Sequence, residues 1–308
     1  MGTGWMMASG EWIGVEWRAT QMRAWRMRAD GPQALHWDLD AGALTADGFE
    51  SALMQRIGAQ VHGPLVVIVS GYPIGEIATP CPPPRSDAAM RLPCSNPDVA
   101  LYALPALRQN RPADMLQGEA SQIASFLHQN PDFDGVICLA DDHSKWVHIS
   151  ATEIVSFQTA MTGEIFGLLS TYSSLRSAIG SGWDTAAFGA AISDALSRPQ
   201  AIAAQLFTLR AEHLLQGQSP DLARARLMGL LIGLELAASK PYWLGQNIAL
   251  IGDPALTDIY AQALAAQGIT APQHMGSDLT LLALTAAYDS VTKNPTDPEF
   301  HPNNEARP

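Results

Sequence analysis

The sequence predicts an α/β protein composed of two halves, each of which begins with a β-hairpin. Strand–turn–strand patterns occur near residues 11–28 and again at 135–150, and such patterns are typical of hairpins. Segments with helical spacing of apolar residues follow both hairpins. A chain of 308 residues is long enough for two domains. We therefore expect an N-terminal domain at 1–133, a C-terminal domain at 134–291 and a flexible tail at 292–308.

The first half begins with β patterns. Three of them, at residues 11–17, 21–28 and 34–40, are joined by turn-forming residues. A helical pattern follows at 47–61, and the apolar run Leu65–Ser70 predicts a buried strand.

A proline-rich stretch separates these elements from the second half. Residues 72–98 predict an irregular surface segment because proline interrupts both helices and strands. A helix is expected at 120–128, just before the second hairpin.

The second half is rich in helical patterns. After the hairpin they occur at Thr162–Thr171, 184–196, 200–215, Pro220–Ala238, 255–267 and 278–291, with a short β pattern at 247–251. Proline in the first turn of the segment after Asp253 agrees with a helix start there.

Composition excludes several classes of protein. Hydrophobic residues make up 47% and charged residues 16%, as in a folded globular chain. The net charge of -12 argues against nucleic-acid and anionic-membrane partners. The N-terminal residues show no basic stretch followed by an apolar one, so we expect no signal peptide and a cytoplasmic location.

Cysteine and tryptophan residues are expected to be structural. The three cysteines form no CxxC pair, which favours buried free thiols over disulfides; they are Cys81, Cys94 and Cys138. Three tryptophans within strand patterns are expected in the core: Trp17, Trp25 and Trp146.

The second hairpin carries a polar tip with conflicting chemistry. Lys145 is one of three lysines in the chain, and a cation beside backbone amides at a tip can hold a phosphate group. Asp141 and Asp142 place two carboxylates at the same tip, and these would repel phosphate.

Seven stretches, in order along the chain, carry a resemblance to a known family. They read EWRATQMRAW at 16–25, QGEASQ at 117–122, HSKW at 143–146, FQTAMTGE at 157–164, GLLIGLE at 229–235, YWLGQ at 242–246 and IGDPAL at 251–256. Together they resemble the 2-dehydro-3-deoxygalactonokinase family, over nearly the whole chain.

The resemblance implies a fold and an activity. The family belongs to the sugar-kinase, actin and heat-shock-ATPase superfamily, which implies two actin-like (ribonuclease H-like) domains with an interdomain cleft. The implied reaction is ATP-dependent phosphorylation of 2-dehydro-3-deoxy-D-galactonate in galactonate catabolism, with magnesium as cofactor. The implied partner is this small sugar acid, and the oligomeric state, a homodimer included, stays open.

The same resemblance assigns roles to residues. The catalytic candidates are Glu16, which the resemblance places at the magnesium ion, and Glu119, which it places at the substrate. Which carboxylate is the general base is left open. The substrate-binding candidates are Gly118, Glu119, Gln122, Thr162, Gly163 and Glu164. The candidates for nucleotide or phosphate binding are Thr20, His143, Ser144, Lys145 and Gly252.

The chain departs from the family pattern at several of these motifs. The first phosphate loop has Glu16 and Arg18 where the family has aspartate and glycine, and glycine lets a backbone approach phosphate closely. Gln117 replaces an arginine, the residue suited to a sugar-acid carboxylate. Asp253 replaces a small or hydroxyl residue.

The hairpin tip departs most strongly. Asp141 and Asp142 stand where the family has glycine and threonine. One unshielded carboxylate about 4 Å from a phosphate charge costs ~4 kcal/mol at an effective dielectric near 20. The rival hypothesis is therefore a degenerate, non-catalytic relative that binds a sugar acid or a protein partner.

Four of the candidates also have a simpler explanation. Glu119 and Glu164 can be solvated or helix-capping carboxylates. Glu164 lies at the predicted start of a helix, where the helix dipole stabilises a negative charge. His143 and Lys145 can be ordinary turn residues. A metal cluster at 141–143 receives little weight because consecutive residues share one ion poorly.

Overall fold

The computed structural model describes residues 11–18, 22–35, 45–57 and 64–293. These residues form two compact units. The first unit contains the described residues up to Phe133, the short segment Thr152–Ile154 and the final helix from Gly276 onward. The second unit contains Asp134–Ala151 and Val155–Met275.

The strands of the described residues form three sheets. In chain order they are β1 (Trp12–Trp17), β2 (Met22–Arg28), β3 (Gly31–Leu35), β4 (Leu65–Ser70), β5 (Ile77–Ala78), β6 (Met90–Arg91), β7 (Val99–Ala103), β8 (Leu107–Asn110), β9 (Ala113–Leu116), β10 (Gly135–Ala140), β11 (Ser144–Ser150), β12 (Glu153–Ala160), β13 (Ile248–Gly252) and β14 (Gln273–Met275). The sheet orders are β3-β2-β1-β4-β7-β6, β12-β11-β10-β13-β14 and β5-β8-β9.

The helices cover the two larger sheets. They are α1 (Ala46–Ile57), α2 (Glu119–Gln129), α3 (Thr162–Thr171), α4 (Thr185–Ser197), α5 (Ile202–Gln216), α6 (Pro220–Ala238), α7 (Lys240–Trp243), α8 (Pro254–Ala265) and α9 (Gly276–Lys293). None of the helices in the described part of the chain is long and apolar enough to span a membrane.

The two larger sheets share one strand arrangement. In the first, β1 pairs antiparallel with β2 and parallel with β4, which pairs parallel with β7. In the second, β10 pairs antiparallel with β11 and parallel with β13, which pairs parallel with β14. The duplication suggested by two hairpins is therefore present at the level of sheet topology.

Apolar strands make the core of the first unit. Strands β1 and β4 are buried along their whole length, as expected for central strands covered on both faces. One face packs against α1 through Phe49 and Leu53. The other face packs against α9 through Leu284 and Ala287.

The last helix corrects the expected domain boundary. The sequence placed residues 278–291 in the C-terminal domain, but α9 packs on the sheet of the first unit beside Trp12 and Trp25. This assignment was wrong because helical periodicity shows which face of a helix is buried, and not which sheet covers that face. Residues 292 and 293 continue α9, and the rest of the expected tail lies outside the described residues.

Close helix packing builds the core of the second unit. Helices α4 and α6 approach through Gly229 and Gly233 of α6. A Cβ atom at Gly229 would lie 2.6 Å from the carbonyl oxygen of Phe188, and one at Gly233 would lie 2.6 Å from the Cβ of Ala195. Only glycine permits this approach, so α6 is held firmly against α4.

Many predicted elements are confirmed. The first two strands, the buried strand β4 and the second hairpin form where expected, as do helices α2, α3, α4, α6 and α8 within a few residues. The third strand lies at Gly31–Leu35 and not at 34–40, of which 36–40 lie outside the described residues. The stretch 72–98 is not wholly irregular, since it contains β5 and β6.

Candidate active site

Glu16 is the most deeply buried carboxylate among the described residues of the first unit. It lies near the end of β1 and is 0% exposed. Its Oε1 accepts hydrogen bonds from Arg18 Nη2 at 3.0 Å, Gln122 Nε2 at 2.9 Å and Thr280 Oγ1 at 2.6 Å. Residues distant in the sequence therefore meet at one oxygen, and Arg18 supplies a positive charge.

The other oxygen of Glu16 bears on magnesium binding. Oε2 is among the buried side-chain atoms of the described residues that have no hydrogen-bond partner. Magnesium often uses one or two carboxylate oxygens and completes its shell with water and phosphate oxygens. Glu16 fits this minimal role. No group of three His, Cys, Asp or Glu side chains elsewhere in the described residues forms a metal site.

The substrate candidates of the first unit lie at the start of α2. Gly118 precedes the helix, and its carbonyl oxygen accepts a hydrogen bond from Ser121 Oγ at 2.7 Å. Glu119 is half-buried, and its Oε2 accepts a hydrogen bond from the backbone N–H of Gln117 at 2.9 Å. Glu119 thus makes a local contact with the backbone just before α2. Thr20 lies outside the described residues.

The hairpin tip of the second unit is bound to the start of α3. The carbonyl oxygen of Asp142 accepts a hydrogen bond from the backbone N–H of Glu164 at 3.1 Å. A Cβ atom at Gly163 would lie 2.7 Å from the Cα of Asp142, so glycine is needed for this contact. His143 Nε2 lies 2.5 Å from Glu164 Oε2. The retained His-Ser-Lys and Thr-Gly-Glu motifs therefore form one cluster.

Lys145 is not part of the exposed tip, which corrects the sequence expectation. It is the second residue of β11 and only 5% exposed. Its Nζ donates a hydrogen bond to Thr159 Oγ1 on β12 at 3.1 Å. The tip consists of residues 141–143, and β12 was not predicted, so its partnership with Lys145 could not be foreseen.

A second buried glutamate lies in the second unit. Glu235 of α6 accepts hydrogen bonds from Trp146 Nε1 at 2.8 Å, from Tyr260 OH at 2.8 Å and from Thr162 Oγ1. Burial raises the pKa of Glu235, while the hydrogen bonds from Thr162, Trp146, Ser144 and Tyr260 oppose the rise.

The last candidate motif lies where β13 meets α8. Gly252 ends β13 and is paired in register with Ala140, the last residue of β10. Asp253 caps α8, with Oδ1 accepting a hydrogen bond from the backbone N–H of Ala255 at 2.9 Å. The departure at Asp253 thus has a structural role, because aspartate is a favoured N-cap residue.

The candidates of each unit gather at the carboxyl ends of its parallel strands. In the first unit Glu16 pairs in register with Ser70, the last residue of β4. In the second, the tip follows β10, and Gly252 ends its parallel neighbour. Ligands of open α/β sheets bind at this edge. A separate cavity of about 930 Å³ in the first unit, between α2, α9 and Pro82–Pro84, is lined by none of the candidates.

Sequence reasoning missed several contributors to the clusters. Thr280 and Tyr260 lie in helices far along the chain from the motifs they contact, and no local pattern marks them. Glu235 was visible as a charged residue in the apolar stretch of α6 and as part of a matching motif. That signal could have identified it as a buried polar group in need of partners.

The strand order that the two larger sheets share is that of the actin-like α/β fold predicted from the sequence motifs. The chain belongs to the 2-keto-3-deoxy-galactonokinase family, whose family model matches residues 16–287. This is a family of carbohydrate kinases, and the resemblance seen in the sequence motifs is confirmed.

Individual relatives agree with this family. A Rhizobium meliloti (strain 1021) protein named "Probable 2-dehydro-3-deoxygalactonokinase" is 29% identical over 303 residues, covering 93% of this chain and 99% of the relative. The Escherichia coli (strain K12) 2-dehydro-3-deoxygalactonokinase is 25% identical over 292 residues, covering 92% and 96%. A crystal structure of a protein from Sinorhizobium meliloti, titled as a 2-dehydro-3-deoxygalactonokinase, has a TM-score of 0.76 and 27% identity, covering 91% and 99%.

Proposed function

We propose that this chain phosphorylates 2-dehydro-3-deoxy-D-galactonate with ATP, as a step of galactonate catabolism in the cytoplasm. One observation carries the proposal: motifs matching the family lie at the carboxyl ends of the parallel strands in both units. The names of the relatives supply the substrate, since both curated relatives are named for this reaction.

The proposal divides the roles among the clustered residues. Substrate binding falls to the first turns of two helices: Gly118, Glu119 and Gln122 of the first unit, and Thr162, Gly163 and Glu164 of the second. Contacts to nucleotide phosphates fall to Thr20, His143, Ser144, Lys145 and Gly252. Glu16 would hold the magnesium ion through Oε2, and the ion would neutralise phosphate charge when bound.

The chemistry is an in-line phosphoryl transfer. A substrate hydroxyl oxygen forms a bond to the γ-phosphorus of ATP, the bond from that phosphorus to the bridging oxygen breaks, and ADP leaves. A carboxylate accepts the hydroxyl proton as general base. We assign this role to Glu119, because it is half-buried and retains contact with solvent.

A non-catalytic relative is the second candidate, and the hairpin tip favours it. Asp141 Oδ1 accepts a hydrogen bond from the backbone N–H of Asp142 at 2.9 Å. An amide that could hold a phosphate is therefore occupied by a carboxylate of the protein itself. Arg18 likewise neutralises Glu16 without a metal ion.

A coupled ADP-release assay separates the candidates. We expect turnover of 2-dehydro-3-deoxygalactonate in preference to glucose and glycerol, because the matching motifs belong to a sugar-acid kinase. Glu119→Gln should lower kcat by at least about a hundredfold, since general-base catalysis contributes that much. Glu76→Gln, at an exposed glutamate of the same unit, is the matched control.

The outcomes point in different directions. Equal turnover of glucose contradicts the substrate assignment. No turnover of any sugar acid, together with no binding of MgATP in calorimetry, favours the non-catalytic relative. If Glu119→Gln has the same kcat as wild type, Glu119 is not the general base and another carboxylate must accept the proton.

A further inference from the structure

Glu235 is a buried carboxylate to which the proposed reaction assigns no role. It lies on α6 and is 5% exposed. Three elements donate hydrogen bonds to it: β11 through Trp146, α3 through Thr162 and α8 through Tyr260. These donors, and the Ser144 hydroxyl of β11 that also hydrogen-bonds to Glu235, are neutral side chains. A buried carboxylate is costly unless such donors satisfy it, so its presence in the apolar second half of α6, from Leu227 onward, needs an explanation.

The helix that carries Glu235 is a fixed support. The contacts of Gly229 and Gly233 with α4 leave no room for α6 to slide, because its backbone touches atoms of α4 directly. Glu235 lies two residues beyond Gly233 on this helix. Its carboxylate is therefore held in place by the packing of α4 and α6.

The group that Glu235 holds belongs to the candidate site. Thr162 is the first residue of α3. The next two residues bind the hairpin tip: Gly163 packs on Asp142, and the backbone N–H of Glu164 donates to the carbonyl oxygen of Asp142. Glu235 thus supports the α3 start from the core side, while the tip contacts it from the other.

We propose that Glu235 is a positioning residue, which holds the hydroxyl of Thr162, and with it the first turn of α3 and the hairpin tip, in the geometry that ligand binding requires. The proposal deepens the proposed function and rests on it for the identity of the ligand. The positioning itself is a property of the protein without ligand.

Hydrogen exchange of the ligand-free protein tests the positioning directly. In Glu235→Gln the NH₂ group takes the place of the oxygen that accepts from Thr162, so the Thr162 hydroxyl must reverse to become an acceptor and loses its charge-assisted hydrogen bond. We expect the backbone amides of residues 162–166 to exchange at least about threefold faster, because the first turn of α3 opens locally. Tyr260→Phe is the matched control, since it removes a donor to the same carboxylate and leaves Thr162 in place; it should leave these amides unchanged.

Equal exchange in Glu235→Gln and wild type overturns the proposal, whether or not the protein is a kinase. So does equal acceleration in Tyr260→Phe, because Glu235 would then act only through general stability. If Glu235→Gln does not fold, Thr162→Val removes the same contact from its other side, and Thr162→Ser, which keeps the hydroxyl, should restore wild-type exchange.

Kinetics test the link to ligand binding. We expect Glu235→Gln to raise the KM for 2-dehydro-3-deoxygalactonate by about tenfold, with a smaller change in kcat, because misplaced binding groups weaken productive binding. In a protein that already carries Thr162→Val, Glu235→Gln should raise the KM little further. Both substitutions remove the same Thr162–Glu235 contact, and the effects of residues in contact are not additive. Full additivity overturns the proposal. A wild type that turns over no sugar acid contradicts the proposed function alone, and the exchange experiment still decides the role of Glu235.

Discussion

Glu16 and Glu235 are both buried carboxylates, one in each unit, and they are stabilised in different ways. Glu16 has a cationic partner in Arg18, and its second oxygen has no hydrogen-bond partner among the residues that the structure describes. Glu235 receives only neutral donors from side chains, and both of its oxygens accept hydrogen bonds. The first carboxylate is compensated by charge and keeps one oxygen for a ligand. The second is compensated by hydrogen bonds alone and has no oxygen left over.

The contrast separates a binding group from a supporting group. A carboxylate that must contact magnesium needs a lone pair that no protein donor occupies. A carboxylate that fixes its neighbours needs every lone pair used, because each unused one costs free energy. Glu16 fits the first description and Glu235 fits the second.

Removal of the Arg18 cation should have the largest effect on stability. Arg18→Ala leaves the buried Glu16 carboxylate without its positive partner, so we expect the free energy of unfolding to fall by about 3 kcal/mol. Chemical denaturation measures it. Lys293→Ala is the control, because its ion pair with Asp289 is exposed and should contribute no more than about 0.5 kcal/mol. A loss as small as in that control would show that Glu16 does not depend on Arg18.

Amide substitutions should separate the two glutamates next. In Glu235→Gln the NH₂ group takes the place of Oε2, so the hydroxyls of Thr162 and Tyr260 must change from donors to acceptors. Neutral hydrogen bonds then replace charge-assisted ones, and we expect a loss of about 2 kcal/mol. In Glu16→Gln the oxygen can keep its three donors, and the NH₂ group replaces Oε2, which has no partner among the described residues, so one unpartnered polar atom replaces another. The loss should then come mainly from the neutralised pair with Arg18 and be smaller, about 1 kcal/mol. Urea unfolding of both variants checks the difference. Equal losses would contradict the division into binding and supporting groups.

Charge at the hairpin tip should have a smaller effect, seen in nucleotide binding. The double substitution Asp141→Gly with Asp142→Thr removes both carboxylates and frees a backbone amide. We expect MgATP affinity to rise by at least about tenfold, or ~1.4 kcal/mol. Calorimetric titration measures it, with Asp194→Asn on the exposed surface of the same unit as control. Weaker binding would mean that the two aspartates act through magnesium.

The smallest expected effect is the contribution of Glu235 to the pH dependence of stability. Burial raises the pKa of Glu235 in the folded protein, so the unfolded chain releases this proton first as the pH rises. Glu235 therefore contributes stability at low pH, and the contribution is lost as the pH rises through the raised pKa. Its titratable neighbours Tyr260 and Cys138 have pKa values raised by burial as well, so they stay protonated at acidic and neutral pH.

Urea unfolding between about pH 4 and about pH 7, where an ordinary carboxyl group completes its ionisation, reveals this contribution. The stability advantage of wild type over Glu235→Gln should be largest at low pH and should shrink as the pH rises. Tyr260→Phe, which keeps the carboxylate, should retain the wild-type trend. A difference that is constant across the range would contradict a raised pKa.

Local patterns were sufficient for most elements and insufficient for the short strands. The hairpin at 135–150 and helices such as α6 have strong periodicity and were predicted within a few residues. Strands β8 and β14 were missed, because strands of three or four residues are too short to show a period. Strand β12 was missed although Phe157 and Gln158 were recognised as part of a motif, since a motif match does not specify secondary structure.

The sequence alone determined the family, the α/β class, and which residues retain or lose the family pattern. It did so because motifs and hydrophobic periodicity are local properties of the chain. Only the tertiary structure decided that α9 packs on the first sheet, that Lys145 is buried against Thr159, and that Thr162 and Tyr260 meet at Glu235. These contacts join segments many residues apart, and such pairings depend on how whole elements pack, which no local pattern records.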